Sequence, residues 1–342
     1  MSAVQTIQIH FETSVLMEHL LVKSRLEEIR CPRYAFHMTA FILLFLCLVA
    51  GFALRQTGRL GDQGARALGT TVTYVFLPAV VLSQVHQMGG TIPSWIPALA
   101  GWALFLGSAA AFLWIGRRLK WSAALQGAVI LSAGLGNTSF IGFPILTWLR
   151  GEESIPVAIL ADQFGAFLPL STGGVIIAAV MGSKRARFKE TVFRVTTFPP
   201  FIALVVALFT AGWNFPAALQ QILDALSAAM IPTALVSVGA YLKFSGAAVF
   251  RKYRGPLIAG LSYKLVLAPL VLVLVLKGAF GLRGPFVDIG VLEAGMAPMI
   301  SAALVAAEYD CEPELCNLMI AVGTPISLLT VPLLSLLLDV FA

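Results

Sequence analysis

Apolar runs of about 20 residues follow one another from residue 39 to the C-terminus, separated by short polar and often basic connections. A helix needs about 20 mostly apolar residues to cross a bilayer. The pattern therefore predicts ten transmembrane spans, near 39–54, 67–88, 92–115, 121–148, 154–181, 195–212, 217–242, 255–277, 285–307 and 313–340. Pro and Gly interrupt several of them, which membrane helices tolerate because neighbours satisfy the freed backbone groups.

Composition agrees. Of the 342 residues, 58% are apolar and 12% are charged, with a mean hydropathy of +0.89. A water-soluble domain carries about 25% charged residues because its surface faces water, so the class is an all-α membrane protein. The net charge of +6 suggests a nucleic-acid partner only until the cations are placed. Arg55, Arg59 and Arg66 follow span 1, and Arg117, Arg118 and Lys120 follow span 3. Lys184, Arg185, Arg187, Lys189 and Arg194 follow span 5, and Lys243, Arg251, Lys252 and Arg254 follow span 7. The opposite loops hold Arg150, Lys277 and Arg283. Fifteen cations against three predict that the first set of loops faces the cytoplasm and that both termini lie outside. No nucleic-acid partner is implied.

Residues 1–38 lack the apolar core of a secretory signal. The helical spacing of 14–30 (SVLMEHLLVKSRLEEIR) suits a membrane surface. Met38, directly before span 1, makes a dispensable extension the simpler reading. Cys31, Cys47, Cys311 and Cys316 are too scattered for a disulfide framework or a zinc site. No HExxH, GxSxG, phosphate-binding loop or dinucleotide fingerprint occurs, so neither an enzyme nor a cofactor is expected.

Two landmarks repeat. VFLPAVVLSQV around Pro78 and AMIPTALVSVG around Pro232 are 154 residues apart, and so are SFIGFPILTWL around Pro144 and EAGMAPMISAA around Pro298. That offset carries spans 1–5 onto spans 6–10. Each half has an odd number of spans, so the second enters from the opposite side, as in the inverted 5+5 repeats of secondary transporters. The predicted organisation is an extension (1–38), a first five-helix repeat (39–181), a cytoplasmic linker (182–194) and a second, inverted repeat (195–342). Substrate sites in such carriers lie at discontinuous helices in corresponding positions of the two halves. Span 4 crowds Gly134, Gly136 and Gly142 before Pro144, and span 9 has Gly295 before Pro298. Proline removes a donor and clashes with the preceding turn, so each span is expected to break at its proline. The half-helices starting there present free N–H groups and a positive dipole end to an anion.

GNTSFIGFPIL (136–146) and ADQFGAFL (161–168) resemble the first-half signature of the auxin efflux carrier family, whose bacterial members include malonate and malate permeases. MIPTALVSVGAYL (230–242), YKLVLAPLVL (263–272) and APMISAALVAAEYDCEPELCNLMIAVGTPISLLTVPLL (297–334) resemble its second-half signatures, so the likeness covers about residues 39–341. The resemblance implies a ten-helix fold with crossed, broken helices 4 and 9, like that of bile-acid symporters and sodium/proton antiporters, in a bacterial inner membrane. Plant auxin exporters carry a long loop between spans 5 and 6. Here 182–194 is short, which points to a small carboxylate instead of auxin.

Each ionisable residue inside the membrane is a functional hypothesis, because burying charge there is costly. Lys264 lies about ten residues, or about 15 Å, into span 8. Asp162 and Glu293 lie about eight residues into spans 5 and 9. Lys264 and the helix ends are expected to neutralise a substrate carboxylate, while Asp162 or Glu293 carries a coupling proton. The plainer alternative makes Lys264 a fixed counter-ion for one acid. Asn137, Thr138, Ser139, Gly142 and Pro144 in span 4, with Gly295 and Pro298 in span 9, complete the expected substrate site. The repeat carries Gln163 onto Asn317 and Asp162 onto Cys316; Gln163 is placed with the substrate residues and Asn317 with the coupling residues. His86 and the acidic turn Glu308, Asp310, Glu312 and Glu314 read as solvated loop edges.

The function expected is alternating-access transport of a small organic anion, with a proton or sodium as coupling ion and a homodimer left open. The alternatives are a sodium-coupled bile-acid-type symporter, a channel, and a non-transporting sensor on a carrier fold.

Overall fold

The computed structural model describes residues 41–87, 94–183, 193, 196–210, 213–242 and 246–340. The expected surface helix at 14–30 and nearly all of the 182–194 linker lie outside them. The chain packs as two units, Met1–Leu43 and Leu44–Ala342, and the second carries the candidate site.

The described residues are helical, with no strand among them beyond one isolated bridge. In chain order the helices are α1 (Phe41–Gln56), α2 (Asp62–His86), α3 (Ile96–Arg118), α4 (Ala123–Gly134), α5 (Phe143–Arg150) and α6 (Glu152–Met181). There follow α7 (Pro199–Phe209), α8 (Ala217–Tyr241), α9 (Ala247–Ala279), α10 (Pro285–Ala294), α11 (Ile300–Glu308) and α12 (Pro313–Val340). Six of them (α2, α3, α6, α8, α9 and α12) are 23 to 33 residues long and apolar enough to cross a membrane. At 1.5 Å per residue even the shortest covers about 35 Å.

Local chemistry sets the helix starts. The Ser122 hydroxyl accepts the Leu125 N–H at 3.2 Å and caps α4. Proline occupies the first turn of α7 and α10, where no intrahelical N–H is needed. Gly151, at φ +85°, allows the sharp turn from α5 into α6. The outward surface is strongly apolar: Phe209 is 83% exposed, Val180 71% and Leu329 69%. In water such a surface would drive association; against lipid it costs nothing.

Inside, α2 packs on α7 and α8, α3 packs on α4, α6 and α10, and α12 packs on α4, α9 and α11. Small residues allow the closest approaches, as membrane helices require. A Cβ on Gly101 of α3 would run into the Gly165 backbone of α6.

Several helices contain widened, π-type turns: Ala161–Phe167 in α6, Tyr263–Leu267 and Leu274–Ala279 in α9, and Thr138–Gly142 leading into α5. Such turns re-aim a side chain and recur at functional positions. Thr138, Ser139, Asp162, Gln163, Lys264 and Lys277 all sit on them.

Lys277 and Arg150, which the sequence places in loops, belong to helices and hold the C-terminal end of α12. The Lys277 ammonium is 2.8 Å from the Asp288 carboxylate and donates to the Leu338 carbonyl at 3.1 Å. Arg150 pairs with Asp339 at 2.8 Å. Cations at a helix C-terminus complement its dipole. Lys277 is the more deeply placed of the two, with a side chain only 2% exposed. Removing one partner of a buried pair strands the other, so Lys277→Met is expected to cost about 3–5 kcal/mol. A thermal-unfolding series in detergent that includes Asp288→Asn checks this; an unshifted midpoint for Lys277→Met would remove the pair from the stability account.

The expected loop-edge residues are likewise partnered. The His86 ring stacks on Phe215 with centroids 3.7 Å apart, and its Nε2 is 2.6 Å from the Trp213 carbonyl. The Tyr253 hydroxyl donates to Glu312, and the Ser183 hydroxyl donates to Asp310.

Candidate functional site

Helix α4 ends at Gly134 and α10 ends at Ala294. Beyond each the chain turns extended, with Leu135 at φ −123°, ψ 129° and Met299 at φ −74°, ψ 129°. The two extended segments cross and pair antiparallel at Gly136 and Pro298. Asn137 N–H donates to the Ala297 carbonyl at 2.8 Å, and Met299 N–H donates to the Leu135 carbonyl at 3.1 Å. Non-helical backbone at membrane depth must be satisfied by protein. Each interruption here satisfies the other.

The second break falls at Pro298, as the sequence predicts. The first does not fall at Pro144. It lies at Leu135–Asn137, about two turns earlier. Pro144 lies inside the helical run that starts at Thr138, just after the widened turn Thr138–Gly142, so the helix carries through it instead of breaking there. The glycines set the position. Gly134 ends α4 among Phe105 and Ser108 atoms, and Gly136 is crossed so closely that a Cβ there would stand 3.0 Å from the Lys264 ammonium.

Around the crossing the structure gathers most of the predicted residues. Asn137, Thr138, Ser139, Asp162, Gln163, Lys264 and Glu293 are all buried, Gln163 and Lys264 completely. The Lys264 ammonium donates to the Ala294 carbonyl at 2.9 Å and so caps the C-terminus of α10. Asp162 accepts on both oxygens: from the Thr138 hydroxyl, and from the Gln163 amide at 2.7 Å. Glu293 differs. Neither carboxyl oxygen has a hydrogen-bond partner, and a Cβ on Gly142 would stand 2.9 Å from Oε1. The side-chain amide nitrogen of Asn137 and the amide oxygen of Gln163 are also buried without partners. Unpaired polar atoms in a dry interior are costly, and several converge here. Between α3, α6 and α10 lies a cavity with room for about one water molecule, lined by Gly136, Thr138, Ala161, Gly165 and Glu293 among others.

Two predicted residues stand apart. Asn317 is exposed on α12, outside the buried cluster. Gly295 is buried but faces Leu334 and Pro269. The symmetry that carries Gln163 onto Asn317 thus does not place an equivalent amide at the crossing.

A profile of the family described as membrane transport protein matches residues 35–335. The chain belongs to that family. The auxin efflux carrier resemblance carried by residues 136–168 and 230–334 agrees with it. The transporter is similar to a protein of Methanothermobacter thermautotrophicus named as an uncharacterized transporter, with 28% identity over 88% of this chain and 98% of the relative. A protein of the same description from Methanocaldococcus jannaschii is 23% identical over 86% of this chain and 97% of the relative. A Rhizobium meliloti protein provisionally named as a malonate transporter is 26% identical over 86% of this chain and 93% of the relative. Family and apolar helices together make the chain an integral membrane transporter and not an enzyme.

Proposed function

We propose that this transporter is a secondary carrier for a small organic anion, bound where the two interrupted helices cross. The observation that carries the reading is the crossing itself, two mutually hydrogen-bonded breaks with the Lys264 ammonium beside Gly136. The first-turn N–H groups of α11 begin there and have no intrahelical partner. Together with Lys264 and the unpaired Asn137 amide they offer donors to a carboxylate. In this reading α4 with α5 form one interrupted span and α10 with α11 another, giving ten spans in two inverted halves. Each half then presents its site to either side as the packing around the crossing shifts. The cation distribution supports a cytoplasmic placement of the basic loops in a bacterial inner membrane.

Malonate is the first anion to try because one relative is named for it. Purified protein in liposomes is expected to take up radiolabelled malonate or another short carboxylate saturably, with counterflow. The same anion should raise the unfolding temperature by mass action. Flux that rises linearly with concentration and shows no competition among carboxylates would sink the reading.

A further inference from the structure

We propose that Glu293 is the seat of a co-transported proton, so that the anion moves with H⁺ and not with Na⁺. The inference rests on the reading of the crossing as the anion site. It begins from the way the structure treats its two acids differently. Asp162 has donors on both oxygens, the Thr138 hydroxyl and the Gln163 amide, which is the bonding an ionised carboxylate needs. Glu293 is equally buried, yet has no donor on either oxygen. An ionised carboxylate without donors in a dry interior costs far more than the protonated acid. Charge balance agrees. With Glu293 neutral, Asp162 and the Lys264 ammonium cancel.

A substrate carboxylate arriving at this site meets one ammonium and two acids. If Glu293 were ionised, three negative charges would share a single cation. The anion and the Glu293 proton therefore strengthen one another's binding, and the coupling is reciprocal. The proton comes from water on the loading side and completes a carboxyl O–H on Glu293. It returns to water on the far side once the anion has left, so no charge or bond is left over. The charged groups facing Glu293 among the described residues are Asp162 from α6 and Lys264 from α9; Asp288, at the start of α10, is held by Lys277.

Sodium fits poorly. A hard cation asks for a shell of oxygen ligands. The cavity beside Glu293 is walled largely by Gly136, Ala161, Gly165 and Gly290, and of its lining residues only Thr138 and Glu293 bring a side-chain oxygen, too few for such a shell. The Lys264 ammonium would repel a second cation.

The test uses the full chain in liposomes, with membrane potential clamped to zero by valinomycin and potassium, and radiolabelled malonate as probe. An inward proton gradient of one pH unit should drive accumulation of about tenfold for one proton per anion, since one pH unit is a tenfold activity ratio. An imposed sodium gradient should drive none, and an internal pH dye should report acidification only when malonate is present. Glu293→Gln should lose gradient-driven accumulation, and its counterflow should lose the pH dependence seen in the wild type. The dye readout on unmodified protein stands even if that variant fails to fold. Accumulation driven by sodium, or by protons in Glu293→Gln, overturns the inference while leaving the carrier reading intact. Absence of saturable flux for any short carboxylate overturns the carrier reading and this inference together.

Discussion

Lys264→Met should abolish anion transport while leaving a folded protein. Methionine keeps the length and apolar stem of lysine but removes the ammonium that faces the crossing and caps α10. Truncating one partner of a buried, hydrogen-bonded charge pair costs about 2–5 kcal/mol, or about thirty- to several-thousand-fold in affinity. Lys264→Arg should recover little, because a planar fork is wider than an ammonium and the adjoining cavity holds about one water molecule. Two measurements separate the roles. Thermal unfolding reports the loss of the cap at Ala294, and uptake per folded molecule reports the loss of the anion contact. A variant with a lowered unfolding midpoint and normal uptake would make Lys264 a structural cap only, the plainer of the two readings its sequence position allows.

The helices of the fold were legible because lipid makes burial one-dimensional along the chain. Every apolar run has a helix on it, and the predicted span at 313–340 coincides with α12. The buried ionisable residues were legible for the same reason, since Asp162, Lys264 and Glu293 stand in apolar runs that would exclude them without cause. Lys277 carried the same signal, in VLVLVLKG, but its nearness to a predicted span end disguised it as a loop residue. What the sequence hid was register. A proline announces a possible break, yet the helix from Thr138 carries through Pro144 behind a widened turn while Pro298 lies in extended chain, and nothing local in the sequence tells the two apart. The distinction comes from partners: Leu135–Asn137 goes extended because the other segment is there to bond it. Asn317 illustrates the converse. A 154-residue offset assigns it a partner in sequence, while its own position on α12 is exposed.

The crossing also makes an uneven prediction about its two paired residues: Gly136→Val should destroy the fold locally, whereas Pro298→Ala should be tolerated. The hydrogen bonds run from Asn137 to Ala297 and from Met299 to Leu135, so Gly136 and Pro298 are a pair that exchanges none. Pro298 therefore lacks a donor where the ladder asks for none. Alanine there introduces one buried N–H, costing about 1–3 kcal/mol if unpaired, and leaves both bonds in place. Gly136 has no such slack. A Cβ would stand 3.0 Å from the Lys264 ammonium and 3.1 Å from the Glu293 carbonyl. The ammonium can retreat, but the carbonyl belongs to α10 and cannot. Valine adds two further methyl groups, and overpacking of this kind costs about 1–3 kcal/mol before any bond is lost. Separating the segments would strand two donors and two carbonyls at membrane depth, at about 1–3 kcal/mol each. Gly136→Val should therefore elute as aggregate or unfold well below the wild type. Gly136→Ala should fold with weakened uptake, and Pro298→Ala should keep its uptake and lose less stability than Gly136→Val. The measurements are monodispersity in detergent, thermal unfolding and malonate uptake across the three variants. If Pro298→Ala proved the more damaging change, the break would be held by proline stiffness and not by the paired backbone.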